Sequence, residues 1–122
     1  MSWCRSLTER EGNALAAIVE SAALIAGYLE EAGEDWDQQQ HWIDALAKRV
    51  EEIGAQAKRI TEETLLQIPN VDWRGIKGMR DILAHDYGDV DLAILHEVVS
   101  ELIPGMRREI QEFLRDRAGP SG

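Results

Sequence analysis

Arg80, His85 and Tyr87 lie close together at the end of a helical run, in the stretch RDILAHDY at residues 80–87. A guanidinium carries a fixed positive charge suited to a phosphate, and an imidazole moves protons near neutral pH. Together they are the parts of a metal-free phosphodiester cleavage. A base takes the proton from a ribose 2′-hydroxyl, the oxygen attacks phosphorus, an acid protonates the departing 5′-oxygen, and a cation steadies the phosphoryl charge. His85 suits either base or acid, a role worth about 10²–10⁴-fold. Arg80 can grip the phosphate through two parallel hydrogen bonds. Such a reaction requires a 2′-hydroxyl and leaves a 2′,3′-cyclic phosphate.

Five residues separate Arg80 from His85, which in an unbroken helix is roughly 140° around the axis. Either the imidazole sits where the helix ends and turns back toward the arginine, or a second copy of the motif completes the site across a two-fold axis. In the second case two His85 residues supply base and acid symmetrically. Asp81 is placed to hold the guanidinium or the imidazole, and Asp86 to do the same or to face water. Tyr87 is a poor base, with a phenol pKa of about 10, but a good acceptor for a covalent nucleotide. Arg74 and Lys77, six and three residues before Arg80, extend a local strip for RNA phosphates. The same trio also fits a helix-end cap, with Arg80 in a surface ion pair.

The rest of the chain must position these groups. Its 122 residues make one domain, expected over residues 1–118 with a disordered tail at 119–122. A net charge of −10 argues against coating nucleic acid by bulk electrostatics, though not against one basic cleft on an acidic body. Cys4 is the single cysteine, so neither a disulfide framework nor a cysteine metal site is expected, and it reads as an incidental reduced thiol. Carboxylates are plentiful but form no metal motif, and Glu62-Glu63 reads as a solvated pair. No apolar run of membrane-spanning length is evident, and the amino terminus lacks a signal core, which points to the cytoplasm.

The periodicity is helical throughout. Leu15, Ile18, Val19, Ala22, Ile25 and Leu29 predict a first helix over residues 7–31, with Gly33 as its stop. Ile43, Leu46, Val50, Ile53, Ala57 and Ile60 predict a second, whose outer face carries Lys48, Arg49, Lys58 and Arg59 as a solvated surface. Pro69-Asn70 breaks the chain, and Asp72 is a candidate cap for a short helix reaching residue 84. A last helix, capped by Asp89, starts near Val90 and buries Leu92, Leu95, Val99, Leu102, Met106, Ile110 and Phe113. Pro104 should kink it. His41 and His96 read as structural, and Trp36, Trp42 and Trp73 as core or interface residues. The expected architecture is all-α, an up-and-down bundle of four or five helices.

The run PNVDWRGIKGMRDILAHDY, followed by VDLAIL and LIP, resembles the HepT-like ribonuclease toxins of the HEPN class. The pattern is carried by Pro69, Val71, Trp73, Ile76, Gly78, Met79, Arg80, His85 and Tyr87, with Asp81 at the polar position after the arginine. VEEIGAQAK resembles the family's Ile-Gly-Glu-Ala segment, except that Ala55 stands where Glu is common. The resemblance implies a dimeric HEPN-like bundle and a toxin that cleaves cellular RNA without a metal or cofactor of its own, with Arg80 and His85 catalytic. It also implies a minimal nucleotidyltransferase antitoxin that uses ATP and Mg²⁺ to attach AMP to Tyr87. Ala55 and the acidic surface suit an alternative, a catalytically silent HEPN module for dimerisation or antitoxin binding. Outside the family, the remaining reading is a plain helical scaffold.

Overall fold

The chain folds into three long helical rods with a compact run of short helices between the second and third. The computed structural model describes residues 7–83 and 90–117, the side chain of Ile82 excepted. Helix α1 spans Glu9–Ala32, and a 3₁₀ turn at Glu34–Gln38 leads into α2, Gln40–Ala57. Three short helices follow: α3 (Glu62–Leu65), α4 (Trp73–Lys77) and α5 (Met79–Leu83). The third rod runs through α6 (Leu92–Glu97), a π turn (Val98–Leu102) and α7 (Ile103–Arg117). No strand occurs among the described residues, in line with the all-α expectation.

Helix α1 begins with a capping box. The Glu11 backbone N–H donates to Thr8 Oγ1 at 3.0 Å, and the Glu11 carboxylate accepts in return from the Thr8 N–H. It ends at Gly33, whose φ of +77° is the left-handed conformation that glycine adopts without strain, and whose N–H closes on Leu29 O. Leu15, Ile18, Ala22 and Ile25 are buried as predicted, while Val19 and Leu29 are partly covered. They pack chiefly against α2, and α7 contacts the same helix. By length and composition alone α1 is apolar enough to cross a membrane, which corrects the expectation that no such run exists. Here its apolar stripe serves the core instead.

Helix α2 buries Ile43, Leu46, Val50, Ile53 and Ala57 along one stripe, and Ile60 continues it past the helix end. Each of the Ile, Leu and Val side chains, fully buried, is worth about 1.5–3 kcal/mol.

The third rod differs from its sequence reading at its cap, along its buried face, where Leu102 and Phe113 are only partly covered, and at its proline. Its cap is Asp91, which accepts from the Ile94 N–H at 3.1 Å; Asp89 lies outside the described residues. Leu92, expected inside, is 37% exposed, because it occupies the first turn beyond the covered face. Val98 and Ile103, which the regular stripe omitted, are buried. The disturbance expected from Pro104 takes the form of the π turn. Pro104 lacks an N–H and its ring crowds the carbonyl four residues back, so a standard turn cannot form there. The Ile103 N–H donates to Val98 O, five residues back, and the two side chains share the buried side.

Candidate functional site

The segment carrying Arg80 is anchored from behind. Asp72 accepts from the Gly75 N–H at 3.1 Å and caps α4, as its position predicted. Trp73 is buried, and its indole Nε1–H donates to Ile68 O at 3.0 Å, tying the start of α4 to the preceding loop. Ile76, Met79 and Leu83 form the buried face of α4 and α5 and pack on α2. The approach is close at Gly54, where a Cβ would lie 2.8 Å from Ile76 O. Any larger residue there would push away the backbone from which Arg80 projects.

With Met79 and Leu83 turned inward, Arg80 and Asp81 face solvent. Among the described residues neither makes a side-chain hydrogen bond or ion pair, so no contact between them is present. Arg74 is also exposed, three residues before Lys77 on the same side of α4. Lys77 is otherwise engaged: its Nζ lies 3.0 Å from Glu62 Oε1 in the first turn of α3. Glu62 was read as a solvated carboxylate, and the pairing follows from the fold bringing α3 beside α4. Such an exposed pair is worth at most about 1 kcal/mol, so Lys77 can still be drawn to a phosphate.

His85, Asp86 and Tyr87 lie outside the described residues. The two ends of their segment are fixed beside each other, because the Asp91 N–H donates to Leu83 O at 3.0 Å. The chain therefore leaves α5 and enters α6 at one point, one turn from Arg80. No grouping of three or more His, Cys, Asp or Glu suited to a metal ion occurs among the described residues.

A comparison with family models decides the affiliation: residues 18–113 match the model described as "Ribonuclease HepT-like". The chain belongs to the HepT-like ribonuclease family. Over 100 residues this HepT-like chain is 33% identical to the "Gamma-glutamylcyclotransferase and putative RNase" of Methanocaldococcus jannaschii, covering 81% of this chain and 45% of that protein. A second protein of that archaeon, named "Putative RNase", is 31% identical over 75 residues, 62% of each chain. The "Probable ribonuclease HepT" of Thermococcus cleftensis is 32% identical over 69 residues, 57% of this chain and 63% of that one. The match thus spans about half to three-fifths of these relatives' own length. No solved structure matches the chain.

Ala55, the departure from the family pattern, is exposed on α2 next to the buried Gly54. Two polar features were missed in the sequence. The first is a link between the third rod and the 3₁₀ turn: His96 Nε2 lies 2.8 Å from Asp37 Oδ2, and the His96 ring packs 4.4 Å from that of Trp36. The hydrogen bond to His96 holds the Asp37 carboxyl below its ordinary range. No local pattern joins residues 59 positions apart, although the structural reading of His96 holds. The second is Glu11, only 2% exposed. Its Oε2 accepts from the Thr61 N–H at 3.0 Å and from Thr61 Oγ1 at 2.9 Å. Burial alone would raise this carboxyl, but the bonds from Thr61, Thr64 and Thr8 outweigh it and hold the pKa at about 2 rather than 4.5. The Thr-x-x-Glu pattern at residues 8–11 was the available signal for half of this arrangement.

Proposed function

We propose that this chain is the toxin of a toxin–antitoxin pair, a homodimeric, metal-independent endoribonuclease. Arg80 holds the scissile phosphate and stabilises its developing charge. His85 of one protomer takes the 2′-hydroxyl proton, while the partner's His85 protonates the leaving 5′-oxygen. Asp81 supports the pair electrostatically, and Arg74 with Lys77 draws neighbouring phosphates. The supporting observation is the solvent-facing Arg80 on a helix anchored through Ile76, Met79 and Leu83, one turn from where the His85 segment departs and returns. A minimal nucleotidyltransferase antitoxin, using ATP and Mg²⁺, silences the site by attaching AMP to Tyr87. The added phosphate repels RNA and fills the cleft.

Purified protein incubated with mixed RNA in EDTA tests this reading. Cleavage should give 2′,3′-cyclic phosphate ends. It should vanish in Arg80→Ala and His85→Ala and persist in His41→Ala, whose ring is on the surface. Intact RNA with unmodified Tyr87 would instead support a catalytically silent dimerisation or antitoxin-binding module. Ala55, where the family commonly carries Glu, and the acidic surface favour that second reading. Incubation with the nucleotidyltransferase and ATP should add AMP to Tyr87 and to no other residue.

A further inference from the structure

A cleft of about 560 Å³ lies between the first turns of α1 and the end of α2, and none of the residues proposed for cleavage lines it. Arg10 and Asn13 from α1 face Gln56 and Arg59 from the α2 side, over a floor that includes Ala14 and Ala17. Arg10 and Arg59 are exposed, and among the described residues neither is engaged in a hydrogen bond or ion pair. On a chain of net charge −10, two uncommitted guanidiniums turned to one cleft are a local exception to the acidic surface. The chemistry of the walls is also selective. Gln56 donates its amide N–H to Glu52 at 3.0 Å, which fixes the side chain and leaves its carbonyl oxygen to accept from a ligand. Asn13 offers both an amide donor and an acceptor.

The two walls are held in register by the buried Glu11. It adjoins Arg10 in sequence, and it binds the backbone N–H and hydroxyl of Thr61, two residues beyond Arg59. The carboxylate that the cleavage chemistry leaves idle therefore sets the gap across which the arginines face each other.

We propose that this cleft is a second RNA subsite, holding one nucleotide unit of the strand at a distance from the scissile phosphate. Arg10 and Arg59 take the phosphate, the Asn13 and Gln56 amides read a base edge, and the alanine floor receives the flat face of the ring. The volume suits a single nucleotide, since small-ligand sites run from about 300 to 1,000 Å³. Glu9, on the same rim, opposes the phosphate and keeps the affinity modest. The inference rests on the reading that the substrate is RNA, but not on the chemistry at Arg80 and His85.

Binding is measured with the full chain and a fluorescent single-stranded oligoribonucleotide carrying 2′-O-methyl groups, which cannot be cleaved. Arg10→Gln with Arg59→Gln should weaken binding at least about tenfold and make its salt dependence shallower by roughly 0.7–1.4 in log–log slope. Glu9→Gln should tighten binding a few-fold, and circular dichroism should report an unchanged fold in all variants. The inference is overturned if the wild-type chain does not bind the oligonucleotide, or if the double variant binds with the same affinity and slope. It also fails if the double variant loses only free AMP binding, which would make the cleft a mononucleotide site. Binding that depends on both arginines, in a protein that leaves ordinary RNA intact, would refute the proposed cleavage and leave this subsite standing.

Discussion

Replacing Glu11 by glutamine should remove stability in a pH-dependent way. The wild-type carboxylate accepts from Thr8 with one oxygen and from Thr61 with the other, so both oxygens must be acceptors. An amide of the same shape presents one acceptor and one donor, which leaves a donor on Thr8 or Thr61 facing an N–H. At neutral pH the loss of charge-assisted bonds in a buried site should cost about 2–3 kcal/mol. The pH dependence follows from the shift. The folded pKa of about 2 lies below the ordinary 4.5, so the fold favours the ionised form. The resulting stability is complete above the unfolded pKa and is lost as pH falls through the folded one. The whole shift, from 4.5 to about 2, corresponds to about 3.5 kcal/mol at about 1.4 kcal/mol per unit. About 2 kcal/mol of it should be gone by pH ~3. Urea unfolding of both proteins, followed by tryptophan fluorescence, gives the difference at each pH. A gap between wild type and Glu11→Gln that stays constant from neutral pH to pH ~3 would refute the reasoning, as would its absence at neutral pH.

Gly54→Ala places a Cβ 2.8 Å from Ile76 O and should cost about 1–3 kcal/mol, with up to ~1 returned by helix propensity. It should also slow RNA cleavage, because α4 and α5 move with the displaced carbonyl; both are read by melting and by single-turnover assays. Arg80→Lys keeps the charge and loses the fork, so cleavage should fall roughly 10–100-fold with the melting temperature unchanged. Trp73→Phe removes the donor to Ile68 O at 3.0 Å and should lower stability by about 1–2 kcal/mol in urea titrations.

Much of the fold was legible because its helices obey simple periodicity. The α2 stripe could be read residue by residue, and so could the Gly33 stop and the Asp72 cap, since each depends on local geometry alone. The third rod was legible only in part. A regular repeat correctly chose Leu95, Val99, Met106 and Ile110, but the π turn brings Val98 and Ile103 inward as well. A proline signals that the helix must adjust and does not say whether it bends or widens. At the candidate site, the motif spacing pointed to Arg80, and the structure adds its exposure and the anchoring of its segment. The clamp of Glu11 on Thr61 was hidden, because a buried carboxylate in an acidic sequence has no mark until its donors, 50 residues away, are seen.

The bond from the Asp91 N–H to Leu83 O bears on the proposed silencing by nucleotidylation. The two helices flanking the tyrosine segment are stapled to each other by their own main chain, independently of what that segment carries. Under the proposed modification, that main-chain tie between α5 and the start of α6 would stay in place. AMP attached to Tyr87 would then act as a plug, not as a wedge, and a nucleotidylated protein should melt at the same temperature as the unmodified one.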